Sequence, residues 1–269
     1  MKYNKHKIII ILKNFENKLC RRPVKRDSSN LFFLSKKYFG SWNKMMIAAG
    51  YTCKMIQKPH IPNRLTPNLY YLLGLLSTDG HIQAISKRWS YRVMFYTSEK
   101  EEKDLILSLT YRLFKYKASV RTRKTGFSKR PNYEIYLSSK KIADYLHSLG
   151  IPFGAKSYNL EVPRIISTKT GNNFWHYLRG VFDGDGSIIF SGSNNVFKIS
   201  SGSVKFLRGL KKIMHYNRFR KVIVSRQQEN VWELRINTKS EINRLHLLIY
   251  KNAFFFYPRK KIKWEKQYI

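Results

Sequence analysis

Apolar residues along the chain change their spacing at two corresponding places, from a helical period to strict alternation. The segment "NLYYLLGLLST" continues a helix that Thr66 can cap, and the helix runs to Asp79; "NNFWHYLRGVFDG" runs in the same way to Asp185. After each Asp-Gly the pattern alternates. "SYRVMFYTS" puts Val93 and Phe95 on one face, and "NVFKIS" puts its apolar residues opposite a lysine. The pattern predicts a helix followed by strands, twice.

Each of these segments is followed by another helix, two more strands and a last helix. Asp185 follows Asp79 by 106 residues, the size of a small domain. We therefore expect an α+β fold that contains an internal duplication, with αββαββα halves at residues 67–160 and 161–269.

The first 57 residues have a different pattern. A helix is predicted over about residues 6–20, and the segments "LFFLSKKYFG" and "SWNKMMIAAG" each end in glycine, as helix C-caps do. Ser41 is the expected N-cap of the last segment. We expect residues 1–57 to form a basic three-helix unit of helix-turn-helix character. Residues 58–66, in the proline-rich "KPHIPNRLTP", are the expected linker.

The charge of the chain narrows the class of partner. Lys and Arg number 52 against 16 Asp and Glu, and the pI is about 10.3, which favours a polyanionic partner. Nucleic acid fits better than a membrane, because no apolar run approaches the ~18–20 residues that span a bilayer. A coding bias of an AT-rich genome would also enrich Lys. Two cysteines make neither a disulfide framework nor a zinc cluster. We expect an intracellular protein, in the cytoplasm of a prokaryote or in an organelle matrix, and not a secreted one.

Small residues accompany both conspicuous aspartates. Gly74 and Thr78 are four residues apart, as are Gly180 and Gly184, so each pair lies on one helix face where backbones can approach closely. Two helices packed along these faces would bring Asp79 and Asp185 together at helix C-termini. The helix dipole and the second carboxylate are unfavourable there, so the pair calls for a cation such as Mg²⁺. The competing interpretations are an ordinary Asp-Gly turn and a calcium loop, and "DGDGS" lacks the glycine and glutamate spacing of the latter.

The two anchors, "LLGLLSTDG" at 72–80 and "LRGVFDGDG" at 178–186, resemble the two motifs of a single-chain LAGLIDADG homing endonuclease. The resemblance covers roughly residues 66–269. It implies a monomer in which the two halves form a pseudo-dimer, with a saddle-shaped sheet on double-stranded DNA. The implied activity is Mg²⁺-dependent cleavage of both strands at one long target, which is asymmetric because the halves differ.

The resemblance also implies site residues. Asp79 and Asp185 would bind metal with the backbone carbonyls of Thr78 and Gly184. Mn²⁺ would substitute for Mg²⁺, and Ca²⁺ would support binding without cleavage. The basic residue near each scissile phosphate would be Lys156, 77 residues after Asp79, and Lys260, 75 after Asp185. The alternatives to Lys260 are Arg259 and Lys261, and the positions of a water-ordering polar residue are Glu99 and Ser201.

Polar side chains on the strands form a second expected site. Counting alternate residues from the motifs puts them on the face opposite the core, where Arg, Lys and Gln can read base edges or contact phosphates. The set is Gln83, Lys87, Arg92, Arg121 and Arg123 in the first half, and Lys198, Lys221, Ser225, Gln227 and Arg235 in the second. The stretch "FGSWNKMMIAAGY" (39–51) resembles a small repeat attached to homing endonucleases, which implies further DNA contacts at Trp42 and Lys44.

Two other functions remain open at this point. An intron maturase of the same fold would bind intron RNA without needing metal chemistry, and a DNA-binding regulator would have lost catalysis. Retention of both aspartates argues against the regulator. An intein is disfavoured, because the sequence has neither a terminal nucleophile nor the His-Asn ending.

Overall fold

The structure is a computed structural model that describes residues 3–52, 57–83, 91–123, 131–167, 171–191 and 194–266. It divides into two compact units, Met1–Gln57 and Lys58–Ile269, called here the N-terminal unit and the main unit. Within the described ranges, no helix has the length and apolar character needed to cross a bilayer.

The N-terminal unit is helical in most of its described residues. Its helices are α1 (Lys5–Leu19), α2 (Ser29–Phe39) and α3 (Trp42–Ala48). Ser41 caps α3 as predicted, and its Oγ accepts the Lys44 N–H at 3.2 Å. The helices enclose a small core of their own, and Trp42 belongs to it with only 5% of its surface exposed.

The main unit repeats one order of elements, which confirms the predicted αββαββα duplication. The first half comprises α4 (Pro67–Ser77), β1 (Gly80–Ile82), β2 (Val93–Thr97), α5 (Lys100–Phe114), β3 (Ser119–Arg123), β4 (Asn132–Leu137) and α6 (Lys140–Ser148). The second half comprises α7 (Asn173–Asp185), β5 (Gly186–Ser191), β6 (Asn194–Ser201), α8 (Val204–Tyr216), β7 (Val222–Gln228), β8 (Val231–Ile236) and α9 (Lys239–Tyr250). It ends with α10 (Pro258–Glu265), a helix that the sequence pattern did not predict.

Each half forms a four-stranded antiparallel sheet, with the orders β1-β2-β4-β3 and β5-β6-β8-β7. One face of each sheet is apolar, and its residues, such as Phe95 and Phe197, are fully buried in a core that both halves share. Alternate residues, such as Tyr96 and Lys198, lie on the opposite face, called here the outer face.

Helices α4 and α7 pack against each other at their glycines. A Cβ placed on Gly74 would overlap the carbonyl oxygen of Tyr177, and one placed on Gly180 would overlap that of Tyr71. Since each glycine meets backbone, a side chain could be accommodated only by moving a helix. The structure therefore places both predicted interface glycines where the helix axes come closest.

Two buried hydrogen bonds flank this crossing and are related by the duplication. The Tyr71 hydroxyl donates to Asp183 Oδ2 at 2.7 Å, and the hydroxyls of Tyr177 and Ser77 lie 2.9 Å apart. Asp183 is fully buried and also accepts the Tyr257 N–H at 2.9 Å. Burial raises the pKa of Asp183 to about 7. The acid inside the second motif therefore joins the two helices, and Ser77 does so in the first.

The proline-rich segment before α4 packs within the main unit. The His60 N–H donates to the Phe114 carbonyl at 2.8 Å, and Ile61 is packed against the shared core. Thr66 caps α4 as predicted, with Pro67 in its first turn.

We predict that Gly74→Ala and Gly180→Ala each lower the free energy of unfolding by about 2 kcal/mol or more, because the added methyl meets a backbone carbonyl that cannot move alone. Urea unfolding followed by circular dichroism measures the change. Gly209→Ala in α8 is the matched control, because its Cβ would meet only the side chain of Val162, at 2.8 Å. The control should change stability by less than about 1 kcal/mol. Equal effects at all three positions would contradict the close helix crossing.

Candidate active site and nucleic-acid interface

The ends of α4 and α7 bring the two motif aspartates to one place. Asp79 follows Thr78, the C-cap of α4, and Asp185 is the last residue of α7. A Cβ built on Gly184 would overlap the Thr78 side chain and lie 3.3 Å from Asp79 Oδ2, so Asp79 reaches across to the end of the opposite helix. The close crossing thus juxtaposes residues from the two halves at one site.

The two carboxylates have no direct partner among the described residues, although the charges of Lys156 and Lys260 act on both. Burial and the nearby Asp185 carboxylate raise the pKa of Asp79 to about 6. Within the described part of the chain, neither carboxylate has a hydrogen bond or an ion pair. Both also lie at helix C-termini, where the dipole is negative. Such a pair attracts a cation.

The donor set fits a hard divalent cation. Mg²⁺ is usually bound by one or two carboxylates, and water or phosphate oxygens complete its shell. The described residues contain no cluster of three or more His, Cys, Asp or Glu side chains that could hold a metal ion by themselves. A cation at Asp79 and Asp185 would therefore take further ligands from carbonyls, water or a bound phosphate.

The two predicted lysines occupy equivalent positions at the helix ends. Lys260 Nζ donates to the carbonyl oxygens of Phe182, Gly184 and Gly186 at 2.8, 2.8 and 2.7 Å. Lys156 Nζ donates to the carbonyl oxygens of Leu76 and Gly80, which are the first-half counterparts of Phe182 and Gly186. Burial lowers the pKa of each lysine to about 8.

The two lysines differ in their remaining hydrogen-bonding capacity. An ammonium group has three N–H donors, so all the donors of Lys260 are used by backbone carbonyls, whereas Lys156 keeps one that has no acceptor among the described residues. The Gly184 carbonyl, a predicted metal ligand, accepts one of these bonds from Lys260 and has one lone pair left.

The alternative basic residues beside Lys260 are engaged elsewhere. Arg259 Nε donates to Glu102 Oε1 at 2.6 Å, and Lys261 pairs with Glu265 at 3.2 Å. Glu102 is a residue that sequence reasoning missed. It is buried, also accepts the Thr97 hydroxyl at 2.6 Å, and contributes to the raised pKa of Asp79. No sequence signal distinguishes it from the neighbouring glutamates of α5.

The two expected water-ordering positions lie where β2 and β6 give way to the following helices. Glu99 is the N-cap residue of α5 and forms no side-chain cap bond, and Ser201 ends β6, where its Oγ accepts the Ser203 N–H at 3.2 Å. Beside the first motif, a cleft of about 420 Å³ is lined by Asp79, His81, Gln83 and Lys156 among others. Gln83 lies in this cleft, and its Oε1 is buried with no partner among the described residues.

The outer face of the first sheet carries the predicted Arg92, directly before β2, and Arg121 and Arg123 on β3. Arg92 and Arg121 lie over the ring of Tyr136, with their guanidinium carbons 5.0 and 5.2 Å from its centroid. Arg123 forms an ion pair with the buried Glu134 at 3.1 Å. Lys87 lies outside the described residues.

The outer face of the second sheet carries a connected set of side chains. Lys198 and Arg235 both contact the buried Glu233, at 3.1 and 2.7 Å. Arg235 also donates to Gln227, whose amide donates to Ser225. The remaining predicted residue, Lys221, is exposed just before β7, and its backbone N–H donates to a glutamate.

The N-terminal unit presents a basic cleft. It is lined by Arg22, Lys25, Arg26 and the edge of Trp42, among others, and has a volume of about 630 Å³. Lys44 is exposed on α3. Trp42 is mostly buried in the helical core and also lines this cleft, so the DNA contacts expected at Trp42 and Lys44 stay predictions.

Comparison with known proteins identifies the family. The chain matches the LAGLIDADG-like domain over residues 66–150 and 176–250, which is more than half of its length. No curated protein sequence matches it.

Solved structures share the fold of the main unit. The structure of I-DmoI in complex with DNA and Ca matches with a TM-score of 0.53 and 17% identity, over 73% of this chain and 96% of that one. Mesophilic variants of the homing endonuclease I-DmoI match with a TM-score of 0.51 and 16% identity, over 69% and 96%. An I-DmoI variant with nicked target DNA and Mn matches with 0.52 and 17%, over 70% and 97%. The paired motifs, the duplicated halves and the matched domain model together show that the chain belongs to the LAGLIDADG-like domain family.

Proposed function

We propose that this protein is a site-specific DNA endonuclease that hydrolyses one phosphodiester in each strand of a duplex target. The observation that carries the proposal is the meeting of Asp79 and Asp185, two unpaired carboxylates from different halves, at the crossing of α4 and α7. A single chain supplies both carboxylates, so we propose that it acts as a monomer.

Asp79 and Asp185 are the side chains that would hold a divalent cation, with the free lone pair of the Gly184 carbonyl and the Thr78 carbonyl as further ligands. A bound Mg²⁺ would supply positive charge for hydrolysis at the scissile phosphates. I-DmoI structures of the same fold contain Ca or Mn with DNA. We propose Mg²⁺ as the working ion, Mn²⁺ as a substitute and Ca²⁺ as an ion that supports binding only.

The lysines would have different tasks. Lys156 has an N–H donor to spare and lies in the cleft beside Asp79, so it is placed to hold a non-bridging phosphate oxygen. Lys260 uses its three donors on the end of α7 and thereby positions Gly184 and Asp185. Lys260 contributes to the site mainly by holding its backbone.

The outer faces of both sheets would bind the duplex. Their exposed cations can contact phosphates and base edges. The two faces carry different residues, with arginines on an aromatic ring in the first half and a glutamate-centred network in the second. An asymmetric target follows from this difference.

The N-terminal unit would add a further DNA contact. Its cleft combines exposed Lys25 and Arg26 with Arg22, and such a cluster of cations attracts the phosphates of a DNA backbone. We propose that this contact increases affinity outside the segment that is cut.

Asp79→Asn and Asp185→Asn are each predicted to lower double-strand cleavage by about 100-fold or more, because each removes charge that holds the cation. The substrate is a duplex selected by the wild-type protein from a randomised library in Ca²⁺, and cleavage is then started with Mg²⁺. Affinity for the duplex in Ca²⁺ should stay within a few-fold of wild type.

Asp104→Asn is the matched control, since Asp104 lies exposed on α5 with 55% of its side chain accessible. Unaltered cleavage by both active-site variants would disprove the endonuclease site. Specific binding of the wild type without cleavage in Mg²⁺ would indicate a regulator, and weak binding to every duplex would turn attention to intron RNA.

Lys260→Met is predicted to lower the free energy of unfolding by about 2–3 kcal/mol, because three carbonyls, two of them in buried bonds, lose a charged donor. Lys261→Met is the control, since it loses the pair with the partly exposed Glu265 and two contacts with aromatic rings, but no bond to the end of α7. Urea unfolding of both variants measures the change in stability and so distinguishes a structural role of Lys260 at the end of α7 from a role on the substrate. Wild-type stability of Lys260→Met together with lost cleavage would show that Lys260 acts on the substrate and not on the helix end.

The double variant Lys25→Gln/Arg26→Gln is predicted to weaken DNA binding and to lower the slope of log Kd against log salt concentration by about 1–2, since each phosphate contact contributes ~0.9. Lys36→Gln/Lys37→Gln, on the last turn of α2, removes the same charge elsewhere on the unit. Equal slopes for the two double variants would contradict a specific role of the cleft.

A further inference from the structure

Each sheet carries one buried glutamate on its outer face, and the two occupy the same position in the duplication. Glu134 is the third residue of β4 and Glu233 the third of β8. They are 4% and 6% exposed, although the neighbouring side chains on that face are cations and polar groups. A charged residue is seldom so buried unless it is paired. Neither glutamate was singled out from the sequence.

Glu233 is fully paired. Its Oε1 accepts from Lys198 Nζ at 3.1 Å and from the Ser200 hydroxyl at 3.3 Å, and its Oε2 accepts from Arg235 Nε at 2.7 Å. Burial alone would raise the pKa of this carboxyl, but the bonds from Arg235 and Lys198 lower it. Glu233 is therefore a carboxylate that holds two of the predicted DNA-reading cations at once.

The contacts continue along the sheet. Arg235 Nη2 donates to Gln227 Oε1 at 2.7 Å, and Gln227 Nε2 donates to Ser225 Oγ at 2.7 Å. The network thus links β6, β8 and β7 through Glu233, Arg235 and Gln227. Arg235 Nη1 has no partner among the described residues and keeps its donors for another acceptor.

The first sheet is arranged differently. Glu134 forms an ion pair with Arg123 at 3.1 Å, and Arg92 and Arg121 lie over Tyr136. The arginine contacts described on this face are therefore divided between a carboxylate and an aromatic ring.

We propose that Glu233 is a specificity-determining positioning residue of the second sheet, which presents Arg235 and Lys198 as a fixed pair to the base edges of the DNA. The proposal rests on the proposed function and deepens it. Glu233 touches no scissile group and acts through the cations that it holds.

Two physical effects follow from this arrangement. An arginine held by a carboxylate keeps its orientation, so the remaining donors can match one base geometry and reject others. The carboxylate also neutralises cations that would otherwise bind any phosphate, and so lowers sequence-independent binding. Because one carboxylate holds both cations, the base pairs that they read are recognised together.

The test measures sequence preference by binding alone. Wild-type protein, Glu233→Gln and Glu229→Gln select from a randomised duplex library in Ca²⁺, and the bound duplexes are sequenced. Glu229 is the matched control, since it lies exposed in the turn between β7 and β8 and its loss changes the net charge equally. Thermal unfolding of each variant is recorded alongside.

For Glu233→Gln we expect the ratio of target to random-duplex affinity to fall at least about 10-fold, with lost preference at several adjacent base pairs and tighter binding to random duplex. Glu229→Gln should keep the wild-type preference. Glu134→Gln should weaken preference only at the other end of the target.

The possible outcomes separate the positioning role from the proposed function. If Glu233→Gln selects the same sequences as the wild type, the positioning role is wrong, and the proposed function is unaffected. The positioning role is equally overturned if Glu233→Gln loses stability but its folded fraction selects the wild-type target. Absence of any preference in the wild type would overturn both.

Discussion

The close approach of α4 and α7 is the constraint on which the rest of the main unit depends. Gly74 and Gly180 meet the backbone of the opposite helix, so the distance between the helix axes is set by the absence of side chains. The hydrogen bonds of Ser77 and Asp183 with tyrosines of the opposite helix then fix the rotation of each helix about its own axis. Both sheets share one core with these helices, so the crossing orients both outer faces as well.

The same crossing brings two carboxylates into mutual repulsion at the site. Two carboxylates lie at the negative ends of two helices, and burial raises the pKa of Asp79 to about 6. Lys156 and Lys260 donate hydrogen bonds to the last carbonyls of the two helices and so offset their negative partial charge. Neither lysine forms an ion pair with an aspartate in the described residues. The charge of Asp79 and Asp185 is therefore left without a directly bound cation among the described residues. The outer faces of the two sheets, in contrast, carry many cations.

The duplication, the helix crossing and the positions of Asp79 and Asp185 could be predicted from the sequence, because each depends on local spacing that repeats. The roles of individual lysines could not, because "YPRKKIKW" offers three adjacent cations and only tertiary contacts separate Lys260 from Arg259 and Lys261. Glu102 and Glu233 escaped notice for the same reason. A buried acid is recognised by its partners, and those partners lie on other elements of the fold.

The measurement that tests the central claim most directly is a crystal structure of the protein with its selected duplex in Mn²⁺, with anomalous data collected at the manganese edge. The account predicts manganese peaks at coordinating distance from the carboxylates of Asp79 and Asp185, beside the scissile phosphates. Peaks confined to other sites on the duplex, with both carboxylates free of metal, would contradict it.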